Sequence, residues 1–293
     1  MREGTPSRTA AWVAAARSMG TLLPPEARLA DDPYGLRFAA PLESPPPGAG
    51  LAVRWFLPMR VWVMYMQVRT RILDDILLAF VERGGRQVVL LGAGYDCRAL
   101  RFADRLRGAT VFEVDHPATQ GHKRRVVGSP PGVQYLAWNF EQHPMSELPA
   151  ALAGAGHDAS KPTLTIWEGV TMYLTPEAID ASVRAVRSFS STGESELALT
   201  YFTRDLIDRP DVVRKIMAAV VKSSGEPFRF GWEPRELPSW FASRGFALER
   251  DVSIADEAKR LLPKAWARGV GEGGQRIALV RAAAESIAVA SAR

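Results

Sequence analysis

A hydrophobic run that ends in two closely spaced glycines constrains the fold of this chain more than any other feature. Residues 87–91 read Gln-Val-Val-Leu-Leu, and Gly92-Ala93-Gly94 follows directly. A short run of Val and Leu bounded by glycines is typical of a strand buried on both faces of a parallel sheet. Glycines after such a strand allow a tight turn and a close approach of the backbone to a ligand. The sequence therefore predicts an α/β protein with a ligand site at the end of this strand.

Similar hydrophobic segments alternate with segments of helical pattern along the chain. Apolar residues recur at helical spacing over residues 66–81, and residues 176–188 also predict a helix. Alternation of strands and helices predicts a doubly wound sheet. Helices are expected again at 204–221 and 233–243. The predicted strands are residues 87–91, 111–115, 133–138, 164–167, 197–202, 246–253 and 277–280.

Composition and charge exclude several classes of protein. With 47% hydrophobic and 24% charged residues among 293, the chain is a folded protein with a large core. The single cysteine, Cys97, excludes a disulfide framework and a cysteine-based zinc site. The four histidines lack the close pairing of metal ligands, so no metal is expected.

The charge pattern argues against nucleic acid and membrane as partners. The formal charge of +5 favours anionic partners only weakly, and the densest basic run, Lys123-Arg124-Arg125, is typical of a solvated helix face. No apolar window approaches the ~20 residues that cross a bilayer. Arg17 interrupts the apolar stretch of residues 10–16, which predicts a short helix there and not an export signal. We expect a cytoplasmic protein.

An acidic residue at the end of the next strand adds to the glycine turn. Asp115 follows the glycines by about twenty residues, the separation at which a carboxylate meets a ribose hydroxyl in nucleotide-binding folds. A dinucleotide fingerprint also needs a third glycine, and Cys97 stands at that position. A cofactor with an adenosyl ribose but no phosphate, such as S-adenosylmethionine, fits better. NAD is the alternative cofactor. A purely structural alternative for Asp115 is that it only caps the helix after the strand.

Four blocks of sequence, in this order, extend the pattern beyond the glycine turn. They are Arg69-Thr70-Arg71 with Asp74, then LLGAGYDCRALRF, EVDHPATQGHK and WEGVTMYLTPEAI. Together they resemble the leucine carboxyl methyltransferase-like family of class I S-adenosylmethionine-dependent methyltransferases, which includes bacterial O-methyltransferases of polyketide biosynthesis. The resemblance implies a seven-stranded, Rossmann-like, doubly wound sheet. It also implies a helical extension at 1–66 and a methyltransferase domain at 67–293 with a lid insertion at about 204–244.

The same resemblance gives roles to individual residues. Arg69 would bind the carboxylate of the cofactor's methionine moiety, and Gly92 and Gly94 would lie against that moiety. Asp115 would hold the ribose hydroxyls, and Glu168 would lie near the methionine end. These pairings suit the chemistry, since a guanidinium binds a carboxylate bidentately and carboxylates accept from ammonium and hydroxyl groups.

Other interpretations and departures from the family pattern remain. Arg69 and Arg71 could instead pair with acidic residues one turn further along their helix. Cys97 stands where the family usually has Thr, and is interpreted as a packing residue. Asn139-Phe140 stand where Asp-Leu is usual, so both are candidates for the adenine site, with Asn139 able to hydrogen-bond but uncharged.

The function that we expect is methyl transfer to a carboxylate or hydroxyl oxygen of a small secondary metabolite of polyketide type. Positioning the acceptor and excluding water are then the main tasks of the protein. Candidate catalytic residues are His116 as a base, Arg204 as an anchor for an anionic acceptor, and Tyr173 in an aromatic pocket. The alternatives are a protein carboxyl methyltransferase, an NAD-dependent oxidoreductase and a non-catalytic binding protein. Arg229 is a second candidate anchor for an anionic acceptor. Further candidates for the aromatic pocket are Tyr201, Phe202 and Trp232.

Overall fold

The computed structural model describes residues 6–38, 56–208, 228–271 and 274–283. Parts of the predicted amino-terminal extension, residues 1–5 and 39–55, lie outside these ranges. So do residues 209–227, which include most of the predicted helix at 204–221. The predicted lid and the domain division at residues 66 and 67 therefore stay predictions.

A seven-stranded sheet forms the centre of the fold. Its order is β3-β2-β1-β4-β5-β7-β6, with β1 to β5 parallel and β7 antiparallel to both of its neighbours. Every predicted strand is present, which confirms the doubly wound α/β sheet that the sequence predicts. Chain order reverses between β1 and β4, and ligands of such sheets bind at that point. The strands are β1 (Gln87–Leu91), β2 (Thr110–Asp115), β3 (Val133–Ala137), β4 (Thr163–Trp167), β5 (Glu196–Phe202), β6 (Phe246–Ser253) and β7 (Gln275–Ala282).

Helices cover both faces of the sheet. The α-helices are α1 (Arg8–Ser18), α2 (Leu57–Glu82), α3 (Arg98–Arg101), α4 (Pro117–Val127), α5 (Leu148–Gly154), α6 (Pro176–Phe189), α7 (Arg204–Asp208), α8 (Leu237–Ala242), α9 (Ile254–Leu261) and α10 (Lys264–Ala267). Short 3-10 turns are Met19–Leu22, Pro25–Ala27, Gly35–Phe38, Met145–Glu147, Thr171–Tyr173 and Pro234–Glu236. Within the described ranges, no helix is both long and apolar enough to cross a membrane.

Helix α2 begins nine residues before the predicted start at residue 66. Pro58 lies in its first turn, where a fixed φ and a missing N–H suit a helix start. Val63 and Met64 are fully buried, so the earlier turns also pack on the core. The predicted helix at 233–243 is a 3-10 turn, Pro234–Glu236, that continues into α8.

The two faces of the sheet bury separate hydrophobic layers. Along β1, Val88 and Leu90 pack with α2 on one face, whereas Val89 and Leu91 pack with α5 and α6 on the other. Burial on both faces explains why this strand is a continuous hydrophobic run. Tyr201 and Trp232 belong to the second layer, with ring centroids 5.7 Å apart. These two aromatic residues are therefore core, not the pocket lining considered from sequence.

A buried ion pair joins α4 to β2. Lys123 Nζ lies 2.6 Å from Glu113 Oε2, and both side chains are 2% exposed. Gln120 Nε2 donates to the backbone carbonyls of Glu113 and Leu136, which ties the same helix to β2 and β3. The prediction that Lys123 lies on a solvated helix face is wrong, because its stem crosses the helix–sheet interface to reach a buried carboxylate.

Candidate functional site

The glycine turn after β1 closes onto the end of β2. Gly92 and Gly94 both adopt positive φ, +71° and +49°. The Gly92 N–H donates to the carbonyl of Val114 over 2.9 Å, and the Gly94 N–H donates to Asp115 Oδ2 over 2.5 Å. Asp115 Oδ1 accepts from the N–H of His116 over 2.6 Å. The structure thus brings Gly92, Gly94 and Asp115 together, as the sequence predicts.

Gly92 also approaches the loop after β4 closely, which leads to a prediction. A Cβ at Gly92 would lie 2.7 Å from Cγ2 of Val170. At Gly108, φ is also positive, +82°, but a Cβ added there would meet no atom within 4 Å. We expect Gly108→Ala to cost only the left-handed backbone penalty, about 1–2 kcal/mol. Gly92→Ala should cost about 1–3 kcal/mol more through overpacking, measured by chemical denaturation. Equal losses would contradict the close contact.

Arg69 and Glu168 meet beside this turn. Arg69 projects from α2 and Glu168 directly follows β4. Arg69 Nε lies 2.8 Å from Glu168 Oε1, and both side chains are largely buried. Arg71, two residues along α2, is exposed and pairs with Asp75 over 2.8 Å. The alternative of pairing along the helix therefore holds for Arg71 and is wrong for Arg69.

Arg98 is a site residue that the sequence reasoning missed. It lies at the start of α3, only 1% exposed, and ion-pairs with three carboxylates. Arg98 Nε lies 2.8 Å from Asp74 Oδ1, and Nη1 contacts both Asp96 and Glu168, the latter at 2.7 Å. Asp74 also pairs with Arg101 over 2.5 Å. In the sequence, Arg98 lies within the block LLGAGYDCRALRF, but nothing in that block indicates that its side chain is buried beside the glycine turn.

The amino-terminal helix reaches the same site. Arg17, at the end of α1, lies 2.5 Å from Asp32, and its Nη2 donates to the carbonyl of Tyr95 over 2.6 Å. The Tyr95 ring stacks on Phe38 at 4.3 Å. Earlier in α1, the Cβ of Ala10 lies 3.4 Å from the point that a Cβ added to Gly94 would occupy. Helix α1 therefore runs alongside the glycine turn. The one sequence feature that pointed to this contact is Arg17, which interrupts the apolar stretch of residues 10–16.

The buried arginines and carboxylates beside the glycine turn form a group that we call the charged cluster, in which four positive charges are matched by four negative ones. Its members are Arg17, Asp32, Arg69, Asp74, Asp96, Arg98, Arg101 and Glu168. Burial opposes ionisation of Glu168, but Arg98, Arg69 and Arg17 hold its pKa far below the ordinary value. Burial likewise opposes ionisation of Asp96, and Arg98 and Arg17 lower its pKa. Both carboxylates are therefore ionised at neutral pH.

A cavity of about 480 Å³ opens beside Asp115 at the ends of β2 and β3. Asn139 lines it, and Asn139 Oδ1 accepts from the Glu141 N–H over 3.0 Å. Phe140, the other predicted adenine-site residue, does not line the cavity and is 38% exposed. The full lining is Pro6, His116, Pro117, Ala118, Gly121, Arg125, Asn139 and Gln142.

The three candidate catalytic residues lie in different surroundings. His116 caps α4, since its Nδ1 accepts from the Ala118 N–H over 3.2 Å. Arg204 is half-exposed and pairs with Glu236 over 2.7 Å. Tyr173 stacks on Phe228 at 5.6 Å, and Phe202 meets Phe228 edge-on at 5.2 Å. Tyr173, Phe202 and Phe228 form a half-buried aromatic group at the ends of β4 and β5. The backbone N–H of Arg229 donates to the carbonyl of Met172 over 2.7 Å, which holds the residues after Phe228 against the turn that precedes Tyr173.

Comparisons with known proteins place this site in a family. The family model described as leucine carboxyl methyltransferase matches residues 10–187. A protein of Frankia alni is 38% identical over 210 residues, covering 69% of this chain and 70% of its own. A protein of Streptomyces coelicolor is 34% identical over 221 residues, covering 73% and 74%. The names of both assign them S-adenosyl-L-methionine-dependent methyltransferase activity.

Two solved structures share the fold. A methyltransferase structure from Thermobifida fusca has a TM-score of 0.56 at 17% identity, covering 97% of both chains. A DUF574 family protein from Streptomyces avermitilis has a TM-score of 0.57 at 18% identity, covering 92% of this chain and 97% of its own. The family model spans more than half of the chain and includes the glycine turn, Asp115 and Glu168. The chain belongs to the leucine carboxyl methyltransferase family.

Proposed function

We propose that this S-adenosylmethionine-dependent methyltransferase transfers a methyl group to a carboxylate or hydroxyl oxygen of a small secondary metabolite of polyketide type. The observation that carries the proposal is the buried pair of Arg69 and Glu168 beside the glycine turn. Family membership supports the cofactor, and the resemblance to bacterial polyketide O-methyltransferases supports the acceptor class.

The chemistry of the Arg69–Glu168 pair fits the methionine end of this cofactor. Arg69 Nε and Glu168 Oε1 lie within ion-pair distance, but their alignment makes no hydrogen bond, and Arg98 Nη2 also has none within the described residues. Buried polar atoms without hydrogen bonds are uncommon and indicate a ligand or water. A zwitterionic amino acid moiety offers a carboxylate to Arg69 and an ammonium to Glu168. We therefore assign these two residues to the methionine end.

The ribose and adenine follow along the same edge of the sheet. Asp115 lies at the end of β2 between the glycine turn and the cavity, where a carboxylate can accept from ribose hydroxyls. Asn139 lines the cavity and can hydrogen-bond an adenine edge. We keep Phe140 as an adenine-site residue because it adjoins Asn139, with its ring partly exposed. This assignment places the cofactor across the ends of β1, β2 and β4.

NAD fits the same residues less well. Cys97 takes the position of the third glycine, its side chain is buried, and burial raises the pKa of its thiol to about 12. It is a packing residue and not a nucleophile. NAD would also give no role to Arg69 and Glu168 at the methionine end.

The capping role of His116, the candidate base, favours an acceptor that is already ionised. When bound, the cofactor supplies a methyl group on a sulfonium. The chain then has to hold the acceptor oxygen in line with that methyl and keep water out. Nδ1 of His116 accepts from the Ala118 N–H and is thereby engaged in capping α4. A carboxylate acceptor needs no base at neutral pH, whereas an alcohol does. Carboxylic acids are thus the first acceptors to test.

Calorimetric titration with S-adenosylhomocysteine, and separately with NAD, tests the cofactor assignment. We expect wild-type protein to bind the first and not the second. Asp115→Ala should weaken binding about 10- to 100-fold, since hydrogen bonds to a charged group contribute about 1.5–3 kcal/mol. Asp104→Ala removes an exposed aspartate whose partner is Arg107, and serves as the matched control. Binding of NAD alone would overturn the proposal.

The fate of a labelled methyl group then separates the acceptor classes. A methyl ester releases labelled methanol in mild base, whereas a methyl ether does not. Label that stays with precipitated protein would favour the alternative of a protein carboxyl methyltransferase, which the family's name supports. Label that extracts as a small methyl ester or methyl ether would favour the proposed function.

A further inference from the structure

We propose that Arg98 is a positioning residue, which holds the carboxylates of Glu168 and Asp96 in place for the cofactor's ammonium. This inference rests on the proposed function, because it assumes that the methionine end binds beside Glu168. Nothing in the family resemblance or the comparisons gives a role to Arg98.

The geometry of Arg98 joins three separate elements. Asp74 lies on α2, Asp96 in the glycine turn and Glu168 after β4, and the guanidinium of Arg98 contacts all three. Its Nη1 is shared between Asp96 and Glu168, and its backbone N–H donates to Asp96 Oδ1 over 2.7 Å. A planar guanidinium is suited to such multiple contacts, and an ammonium is not. The position of Glu168 relative to the glycine turn therefore depends on Arg98.

Arg98 also separates two like charges. The negative charge of Glu168 acts to raise the pKa of Asp96, and Arg98 outweighs it. The other groups that lower the pKa of Glu168 are Arg69 from α2 and Arg17 from α1. Arg17 and Lys123 also lower the pKa of Asp96, but neither forms an ion pair with it, since Arg17 pairs with Asp32 and Lys123 pairs with Glu113. Without Arg98, two buried carboxylates would share one site without the cation between them, and such pairs take up a proton.

Arg101 provides a matched control for this residue. It pairs with the same Asp74, through Nη2 to Oδ2 over 2.5 Å, and is almost as buried as Arg98. Arg101 also donates to the backbone carbonyl of Asp31 over 2.6 Å, and its guanidinium lies 4.9 Å from the centroid of the Phe102 ring. It pairs with neither Asp96 nor Glu168. Loss of Arg101 therefore perturbs the stability of the cluster, but it removes no cation from Asp96 or Glu168, the two carboxylates that would bind the cofactor's ammonium.

The test is calorimetric titration of the full chain with S-adenosylhomocysteine from about pH 5 to about pH 8, using wild type, Arg98→Met, Arg98→Lys and Arg101→Met. Wild type and Arg101→Met should bind with little pH dependence. In Arg98→Met, binding should weaken about tenfold per pH unit below the new pKa of the carboxylate pair, because the ammonium needs the ionised form. Arg98→Lys should remove this pH dependence, since it restores the charge, but it should bind about tenfold more weakly than wild type at every pH, since an ammonium cannot make all the contacts of a guanidinium.

Three outcomes would count against the inference. Affinity in Arg98→Met that is lowered equally at every pH, or that equals the affinity of Arg101→Met, would leave Arg98 a purely structural role. If Arg98→Met does not fold, the affinities of Arg98→Lys and Arg101→Lys for S-adenosylhomocysteine are compared instead. We expect about tenfold weaker binding in Arg98→Lys and no loss in Arg101→Lys. Equal affinities of these two variants would overturn the inference. Wild-type protein that binds no S-adenosylhomocysteine at any pH would overturn the proposed function instead.

Discussion

Replacing Lys123 by methionine is expected to lower the free energy of unfolding by about 3–5 kcal/mol. The substitution leaves Glu113, whose side chain is 2% exposed, without its partner. Breaking a buried pair costs more than the pair contributes, because one uncompensated charge stays in the core. Replacing both residues, as Lys123→Met with Glu113→Met, should recover most of the loss. Guanidinium chloride denaturation of the two single variants and the double variant measures the coupling.

The pH dependence of this loss gives a second check. Burial raises the pKa of Glu113, and Lys123 opposes that shift. In Lys123→Met the pKa of Glu113 should therefore rise further above its unfolded value of about 4.3. A carboxyl group with a raised folded pKa destabilises the folded state as pH rises through that pKa. The variant should thus lie closest to wild type in acid and fall away towards neutral pH.

Lys161→Met is the matched control for Lys123→Met. Lys161 is exposed and pairs with Asp158 over 3.2 Å. An exposed pair contributes little, so we expect almost no change in stability. Similar losses in the two lysine variants would show that the burial of Glu113 does not set the cost of losing its partner.

Replacing Arg69 by methionine is expected to weaken binding of S-adenosylhomocysteine about 10- to 100-fold. Arg69 projects from α2 next to Glu168, and its buried Nε makes no hydrogen bond within the described residues. A hydrogen-bonded ion pair with the ligand carboxylate would be lost, at about 1.5–3 kcal/mol. The affinity from calorimetric titration is the quantity to compare.

Arg71→Met separates this effect from a loss of charge on α2. Arg71 lies on the same helix, and its exposed side chain pairs with Asp75. We expect its affinity for S-adenosylhomocysteine to equal that of wild type. If both variants lost affinity alike, Arg69 would not be a ligand of the methionine carboxylate.

Strand β1 could be predicted from the sequence because burial on both faces produces an unbroken hydrophobic run. All seven predicted strands are present, β1 and β6 with the predicted bounds. The start of helix α2 was harder to predict, because Trp62 and Tyr65, in its second and third turns, fit an irregular cap as well as a core helix. Pro58 in its first turn is a helix-start signal that hydrophobic periodicity does not contain.

The site could be predicted only in part, since its partners lie far apart in the chain. The glycine turn and Asp115 are signals within one βαβ unit, and the structure brings them together. The pairing of Arg98 with Glu168 spans 70 residues. Contact between such residues depends on the order of the strands, and no local pattern reports it. Lys123 shows the same limit, because a lysine next to two arginines is read as surface unless its buried partner is known.

The place of β7 in the sheet has a consequence for synthesis of this chain. β7 lies between β5 and β6, yet it follows both of them in the sequence. About twenty residues separate the end of β6 from the start of β7, which a ribosome adds in roughly 1–4 seconds. During that interval the hydrophobic edge of β5 that later pairs with β7 has no neighbour, and exposed strand edges favour aggregation. The protective pairing of this edge of β5 therefore has to wait until the last strand of the sheet has been synthesised.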